Sequence, residues 1–236
     1  MSRTTFLPRL AGEFLVIVVG VLVALFVDGL REDRRERGYE RQVLDAVAAD
    51  LRANLEDLAQ AERGANFRRR AAIETLLRID GASQPPGAAP DADLAELGAG
   101  NLLASLALIR VFDPHTAGLV SLEASGAYGL IRDPSVRGAV LEYYSKVDSW
   151  REGQTIDRMT ENRVKTVLLS AGVSTGAPRH LADAEILRRI RASPSAQVAL
   201  SDVVGHAGGQ GRWFAALTQE TQMLLETVEA YIIAIG

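Results

Sequence analysis

FLVIVVGVLVALFV, residues 14–27, is the stretch on which the reading of this chain turns: fourteen consecutive positions without a charge. About 20 apolar residues cross the hydrocarbon core of a bilayer. A span built on this run therefore extends over residues 10–30 and takes in Glu13 and Asp28 at its edges, where an ionisable group costs far less than at the centre. The run ends ALFVDGLRED without a small-residue cleavage pattern, which argues for a retained anchor over a cleaved signal peptide. It is apolar on every face and leads into a charged segment, which argues against a buried core helix. The partner implied is the lipid bilayer, through residues 10–30, behind a short arm at 1–9. Gly20 reads as a tolerated small residue, since no second Gly completes a G-x-x-x-G pair.

Arg3 and Arg9 precede the run, and Arg31, Arg34, Arg35, Arg37 and Arg41 follow it. Counting positive residues alone places the following domain in the cytoplasm. Glu32, Asp33, Glu36 and Glu40 interleave with those arginines, and the spacing predicts i,i+3 and i,i+4 pairing on a solvated helix. Residues 31–80 contain no Pro, and Leu44, Val47, Leu51, Leu55 and Leu58 recur at 3-4-4-3 spacing. The anchor is expected to run on, with a bend near Gly38, as one long amphipathic helix ending at Asp80-Gly81. Arg68, Arg69 and Arg70 near its end read as a solvated face, with an acidic-lipid or partner contact as the sharper alternative.

Residues 81–93, GASQPPGAAPDAD, form a Pro/Gly/Ala loop. The remainder, 94–236, is read as the rest of a helical bundle. A helix is expected from about Ala92 to Val111. Asp113-Pro114, Asp133-Pro134 and Ser193-Pro194 each place a capping side chain before a Pro, and each predicts a helix start. The middle pair opens a long helix to Ala171, closed by Gly172, with Val136, Val140, Tyr143, Val147 and Trp150 along one face. A short helix follows over about 182–192. Leu217, Thr221, Leu224, Val228, Tyr231 and Ile235 form a bundle seam in the last helix. The fold class expected is all-α: an N-terminal transmembrane helix continuing into an antiparallel helical bundle.

The search for chemistry gives little. The chain has 236 residues, a formal net charge of -4 and no Cys. That charge implies no nucleic-acid partner, and the missing Cys removes disulfides, thiolate metal sites and a Cys nucleophile. His115, His180 and His206 are far apart, and none has a second ligand at helical spacing, so no metal site is expected. GHAGGQGRW, residues 205–213, is Gly-rich but lacks the Lys-Ser/Thr of a phosphate loop and follows no strand. It reads as a close-packing segment within one long helix, with a hinge as the alternative. No catalytic, cofactor-binding or metal residue is expected, and no cofactor.

Two stretches, GEFLVIVVGVLVAL at 12–25 and TAGLVSLEASGAYGLIRDPSVRGAVLEYY at 116–144, together resemble a family of uncharacterised bacterial single-pass membrane proteins grouped as a domain of unknown function. In that family a Gly-Glu pair opens the apolar helix, matched here by Gly12 and Glu13. A Ser-Gly turn then precedes a short apolar element and a long Tyr-rich helix, matched by Ser125, Gly126, Leu130, Ile131, Tyr143 and Tyr144. The residues read the Ser125-Gly126 turn as a structural corner before the Asp133-Pro134 helix start, with Gly126 in the left-handed conformation.

The resemblance implies a membrane anchor with an all-helical domain, no established activity, and a bacterial inner-membrane location with the C-terminal domain periplasmic. This chain departs from the family in its arm, which carries only Arg3 and Arg9. The functional expectation is a non-enzymatic, membrane-tethered interaction or scaffold module whose partner is a second copy of itself or another membrane or envelope protein. The alternative is an extracytoplasmic helical module that senses a small ligand and acts through a partner protein.

Overall fold

The computed structural model describes residues 6–80, 92–107, 111–124, 129–176 and 181–235; the side chains of 6–13, 15–17, 92–93, 124 and 152–157 lie outside the described set. Among the described residues every regular element is helical: α1 (Phe6–Asp80), α2 (Ala92–Ala95), α3 (Ala99–Leu106), α4 (Ala117–Ala124), α5 (Pro134–Ser170), α6 (Asp183–Arg191) and α7 (Pro194–Ile235). The 81–91 part of the Pro/Gly/Ala loop and the Ser125-Gly126 turn lie outside the described residues.

A heptad seam organises the fold. On α1 the positions 40, 44, 47, 51, 54, 58, 61, 65, 68, 72, 75 and 79 alternate in steps of four and three, and every one of them is buried. One series of this repeat is wholly apolar, Leu44, Leu51, Leu58, Ala65, Ala72 and Ile79; the other carries Glu40, Asn54, Arg68 and Thr75. On α7 the matching series runs from Ala196 through Leu200, Val203, Ala207, Gln210, Phe214, Leu217, Thr221 and Leu224 to Val228, again all buried. This is the 3.5-residue period of helices that pack side by side over several turns. The sequence reading places this seam on α7 only from Leu217 onward.

Tyr231 meets Glu40 at one end of the pair, and Gln210 meets Arg68 further along, so α1 and α7 run antiparallel. The α5 helix runs the same way as α1: Tyr144 reaches Asp50 near its start, and Leu168 near its end packs with Ala71 and Ile79. Two apolar cores result. The first lies between residues 44–65 of α1, α4, the first half of α5 and the last half of α7; the second joins Ala71–Ile79 to α3, α6 and the start of α7.

Local signals account for most element ends. Asp133 caps α5, its Oδ1 accepting from the backbone N–H of Ser135 (2.7 Å) and Val136 (3.2 Å). Gly172 closes α5 at φ +73°, with Gly172 N–H donating to Leu169 and Val173 N–H to Leu168, a Schellman pattern whose apolar clasp is Val173 on Leu168. The α1 helix passes Gly38 without interruption.

Two expectations are corrected. The helix expected over 92–111 is two short helices, α2 and α3, broken where Gly98 takes an extended conformation. Arg78 of α1 accepts that break by donating to the carbonyls of Leu94, Ala95 and Leu97. Asp113-Pro114 starts no helix, because Asn54 holds the backbone of His115, and α4 begins only at Ala117. Among the described residues no helix is long and apolar enough to cross a membrane. The apolar run is described there at Phe14 and from Val18 onward.

Candidate functional site

The conspicuous chemistry of the bundle is a ladder of buried polar side chains facing inward from α1. Glu40 accepts from Tyr231 Oη and from the backbone N–H of Arg132, each at 2.8 Å. Asp50 Oδ2 accepts from Tyr144 Oη at 2.8 Å and from Gly118 N–H at 2.7 Å. Asn54 is fully buried; it accepts from His115 N–H at 2.7 Å and donates to the His115 carbonyl and to Tyr143 Oη, both at 3.2 Å. Tyr143 also receives the Thr221 hydroxyl of α7 at 3.3 Å. Arg68 donates to the Leu106 carbonyl and to Gln210. An unpaired buried polar group costs about 1–3 kcal/mol, so this ladder is what lets the irregular backbone between α3 and α5 lie against α1.

Glycine makes the closest of these approaches. A Cβ on Gly118 would lie 2.8 Å from Val47 N and 2.9 Å from Val47 Cα, so α4 rests on the α1 backbone only because residue 118 has no side chain. In the Gly-rich segment of α7, Gly208 and Gly211 face Arg69 and Asn66 of α1, while Gly205 and Gly209 meet nothing within 4 Å. The helix is uninterrupted there.

The ladder sets the ionisation of its tyrosines. Burial, with the nearby Asp50 carboxylate second, pushes Tyr144 far above the ordinary phenol range. Burial raises Tyr143 as well, and burial followed by the Glu40 hydrogen bond raises Tyr231. Tyr144 and Tyr231 donate their phenol protons to Asp50 and Glu40, while Tyr143 accepts from Asn54 and Thr221.

Of the residues singled out in the sequence, Asp133 and Pro134 form the α5 cap, and Tyr143 and Tyr144 join the ladder beyond their packing role. Tyr143 and Tyr144 meet edge-on with centroids 5.4 Å apart. Gly12 and Glu13 have no described side chains, and Ser125, Gly126 and His180 lie outside the described residues. His115 Nε2 lies 3.3 Å from Asp57 on the surface, and His206 lies beside Arg68. Among the described residues no three His, Asp or Glu side chains could hold one metal ion.

The interleaved charges at 31–41 are used differently from the spacing rule. Arg132, from the turn before α5, bridges Glu36 at 2.9 Å and Asp33 at 3.4 Å. Arg41 pairs with Asp45 at 4.0 Å.

Sequence reasoning missed Glu40, Asp50 and Asn54 as inward groups, and Arg68, expected on a solvated face, is buried as well. Glu40 and Asn54 stand at seam positions, a signal available in the sequence. It also missed the stack of Trp150 on Trp213, 3.6 Å apart and 9° from parallel, because the two come from different helices. Between α1, α3, α5 and α7 the gap beside Arg68, Leu106, Val164 and His206 is about 10 Å³, the scale of a single water. The larger grooves are open to solvent, among them one of about 610 Å³ along Gln60, Arg63, Phe67, Arg70 and Ser105. Comparison with protein-family models, with curated proteins and with solved structures finds no match to this chain.

Proposed function

We propose that this chain is a single-pass membrane protein of the bacterial inner membrane whose helical bundle is a non-enzymatic interaction or scaffold module. The observation that carries the reading is the first part of α1. Phe14, Val18, Val19, Val21, Leu22, Val23, Leu25, Phe26, Val27 and Leu30 are all exposed, Leu22 at 60 % and Phe26 at 68 %. Successive residues advance 100° around a helix, so these side chains occupy most of its circumference and no single partner face would cover them. Burying each would be worth about 1.5–3 kcal/mol. A bilayer covers all sides at once, and residues 10–30 have the length to cross it.

The rest of the bundle supports a scaffold over an enzyme. Its buried carboxylates, Glu40 and Asp50, are occupied by tyrosines and backbone N–H groups. A ligand-sensing role is less well supported, since the enclosed gap beside Arg68, Leu106 and His206 is of the size of one water. The arginine excess after the apolar run favours a cytoplasmic bundle, whereas the family resemblance favours a periplasmic one; a C-terminal reporter active on one side only distinguishes them.

The test of the tether is alkaline carbonate extraction of membranes from cells making the full chain. The protein is expected to stay with the lipid pellet, and Leu22→Arg with Val23→Asp to release it. Release of the unaltered chain with peripheral proteins would sink the reading. Crosslinking in intact membranes then asks whether a second copy or an envelope protein sits on the bundle.

A further inference from the structure

The charges at the base of the bundle are sorted by face. Asp33, Glu36 and Glu40 follow at steps of three and four and share one side of α1, with Arg37 at its border; Arg31, Arg34 and Arg35 share the other. The acidic side is turned to the bundle, where Arg132 bridges Asp33 and Glu36 through its side chain and meets Glu40 through its backbone. The arginine side is exposed, with Arg35 lying over the Tyr39 ring at 5.9 Å. Residues 31–37 hold four arginines against three carboxylates, and Arg132 offsets two of those carboxylates, Asp33 and Glu36.

We infer that this base, the arginine side of α1 together with the turn at 129–132, is a surface seated on anionic phospholipid headgroups. The inference rests on the tether proposed above and adds where the bundle sits. A helix rises about 1.5 Å per residue, so counting from Leu30 places Arg31 to Arg35 within about 8 Å of the hydrocarbon and Glu36 at about 9 Å. The headgroup layer on one side is about 5–8 Å deep. Because α1 is unbroken between the apolar run and its first bundle contact at Asp33, no linker separates bundle from bilayer. The same count excludes the other basic cluster from this role. Arg68 to Arg70 lie about 57 Å or more from Leu30, many times the Debye length of about 8 Å at physiological salt.

The test uses three glycines whose added Cβ meets nothing within 4 Å, Gly20, Gly129 and Gly205, in a chain with no native Cys. Full-length Gly20→Cys, Gly129→Cys and Gly205→Cys are each labelled with a fluorophore and reconstituted in vesicles of phosphatidylcholine and phosphatidylglycerol. Nitroxides are placed at the acyl midpoint or on the headgroup. Gly20 is expected to be quenched by the acyl nitroxide, Gly129 by the headgroup nitroxide, and Gly205 by neither. With the nitroxide on phosphatidylglycerol alone, quenching at Gly129 is expected to exceed that from labelled phosphatidylcholine, by up to roughly fivefold for each arginine engaged. Replacing Arg31, Arg34 and Arg35 by Gln is expected to abolish that preference. If Gly129 is as unquenched as Gly205 while Gly20 is quenched at the acyl midpoint, the seat is wrong and the tether stands. If Gly20 escapes the acyl nitroxide, both fail. If Gly129 is quenched equally by either lipid, the anionic preference is overturned.

Discussion

Replacing Asn54 by alanine removes three hydrogen bonds at one fully buried position: two to the backbone of His115 and one to Tyr143. Each is worth roughly 0.5–1.5 kcal/mol net, which gives about 3 kcal/mol for Asn54→Ala. Tyr143 keeps its contact with Thr221, so the greater share falls on the His115 backbone. For a bundle of this size about 3 kcal/mol corresponds to a fall in Tm of roughly 6–12 °C. The assay is urea unfolding of the full chain in detergent micelles, followed by tryptophan fluorescence. Trp150 and Trp213, the two tryptophans of the chain, stack on one another against the first core, so their emission reports that core. Asn54→Asp keeps the acceptor for His115 N–H but loses both donated bonds, and is expected to cost nearly as much. Glu56→Ala, on an exposed position of the same helix, is expected to stay within about 0.5 kcal/mol of the parent. A loss below about 1 kcal/mol for Asn54→Ala would refute the reasoning that α1 holds the α3–α5 connection through its seam.

Two glycines should respond in opposite directions in the same assay. Gly118→Ala drives a Cβ into the Val47 backbone and is expected to cost about 1–3 kcal/mol, whereas Gly205→Ala, in open space within α7, is expected to stabilise by about 0.5–1 kcal/mol. Alkaline pH tests the ladder's phenols. Tyr143, Tyr144 and Tyr231 are all raised above the ordinary value in the folded protein, while the unfolded chain ionises near pH 10. Their contribution to stability is therefore full below about pH 10 and declines above it. Absorbance at the phenolate band is expected to show Tyr143 and Tyr144, both buried, ionising only together with unfolding; ionisation of both near pH 10 in the folded protein would contradict the buried geometry.

What could be read from the sequence was local. The leucine stripe of α1, the Asp133-Pro134 cap and the Gly172 stop each depend on residues within a turn or two, and each stands where its spacing puts it. Asp113-Pro114 carried the same cap grammar and failed. Asn54, about sixty residues away, takes both backbone groups of His115 and holds the chain extended past the point where a helix would start. The helix expected over 92–111 broke for a like reason, since Arg78 supplies donors to carbonyls that a continuous helix would have used itself. The polar ladder was legible in part. Glu40, Asn54 and Arg68 recur every fourteen residues in the same phase as the leucines, and polar residues at seam positions fix register between helices. Taken singly, Glu40 and Arg68 looked like ordinary charges on a solvated helix, and Asn54 gave no signal of its own.

That seam also makes α1 the spine of the fold: the helix that carries the apolar run is the helix that builds both cores. The measurement that reaches this claim most directly is a spin-label distance in bilayers between Leu22→Cys and Glu56→Cys on the full chain. An unbroken helix separates positions 34 residues apart by about 51 Å, and the expected result is one narrow distribution there. A distribution centred well short of that, or broad, would mean that α1 bends or unravels between the apolar run and the bundle, and would contradict the account.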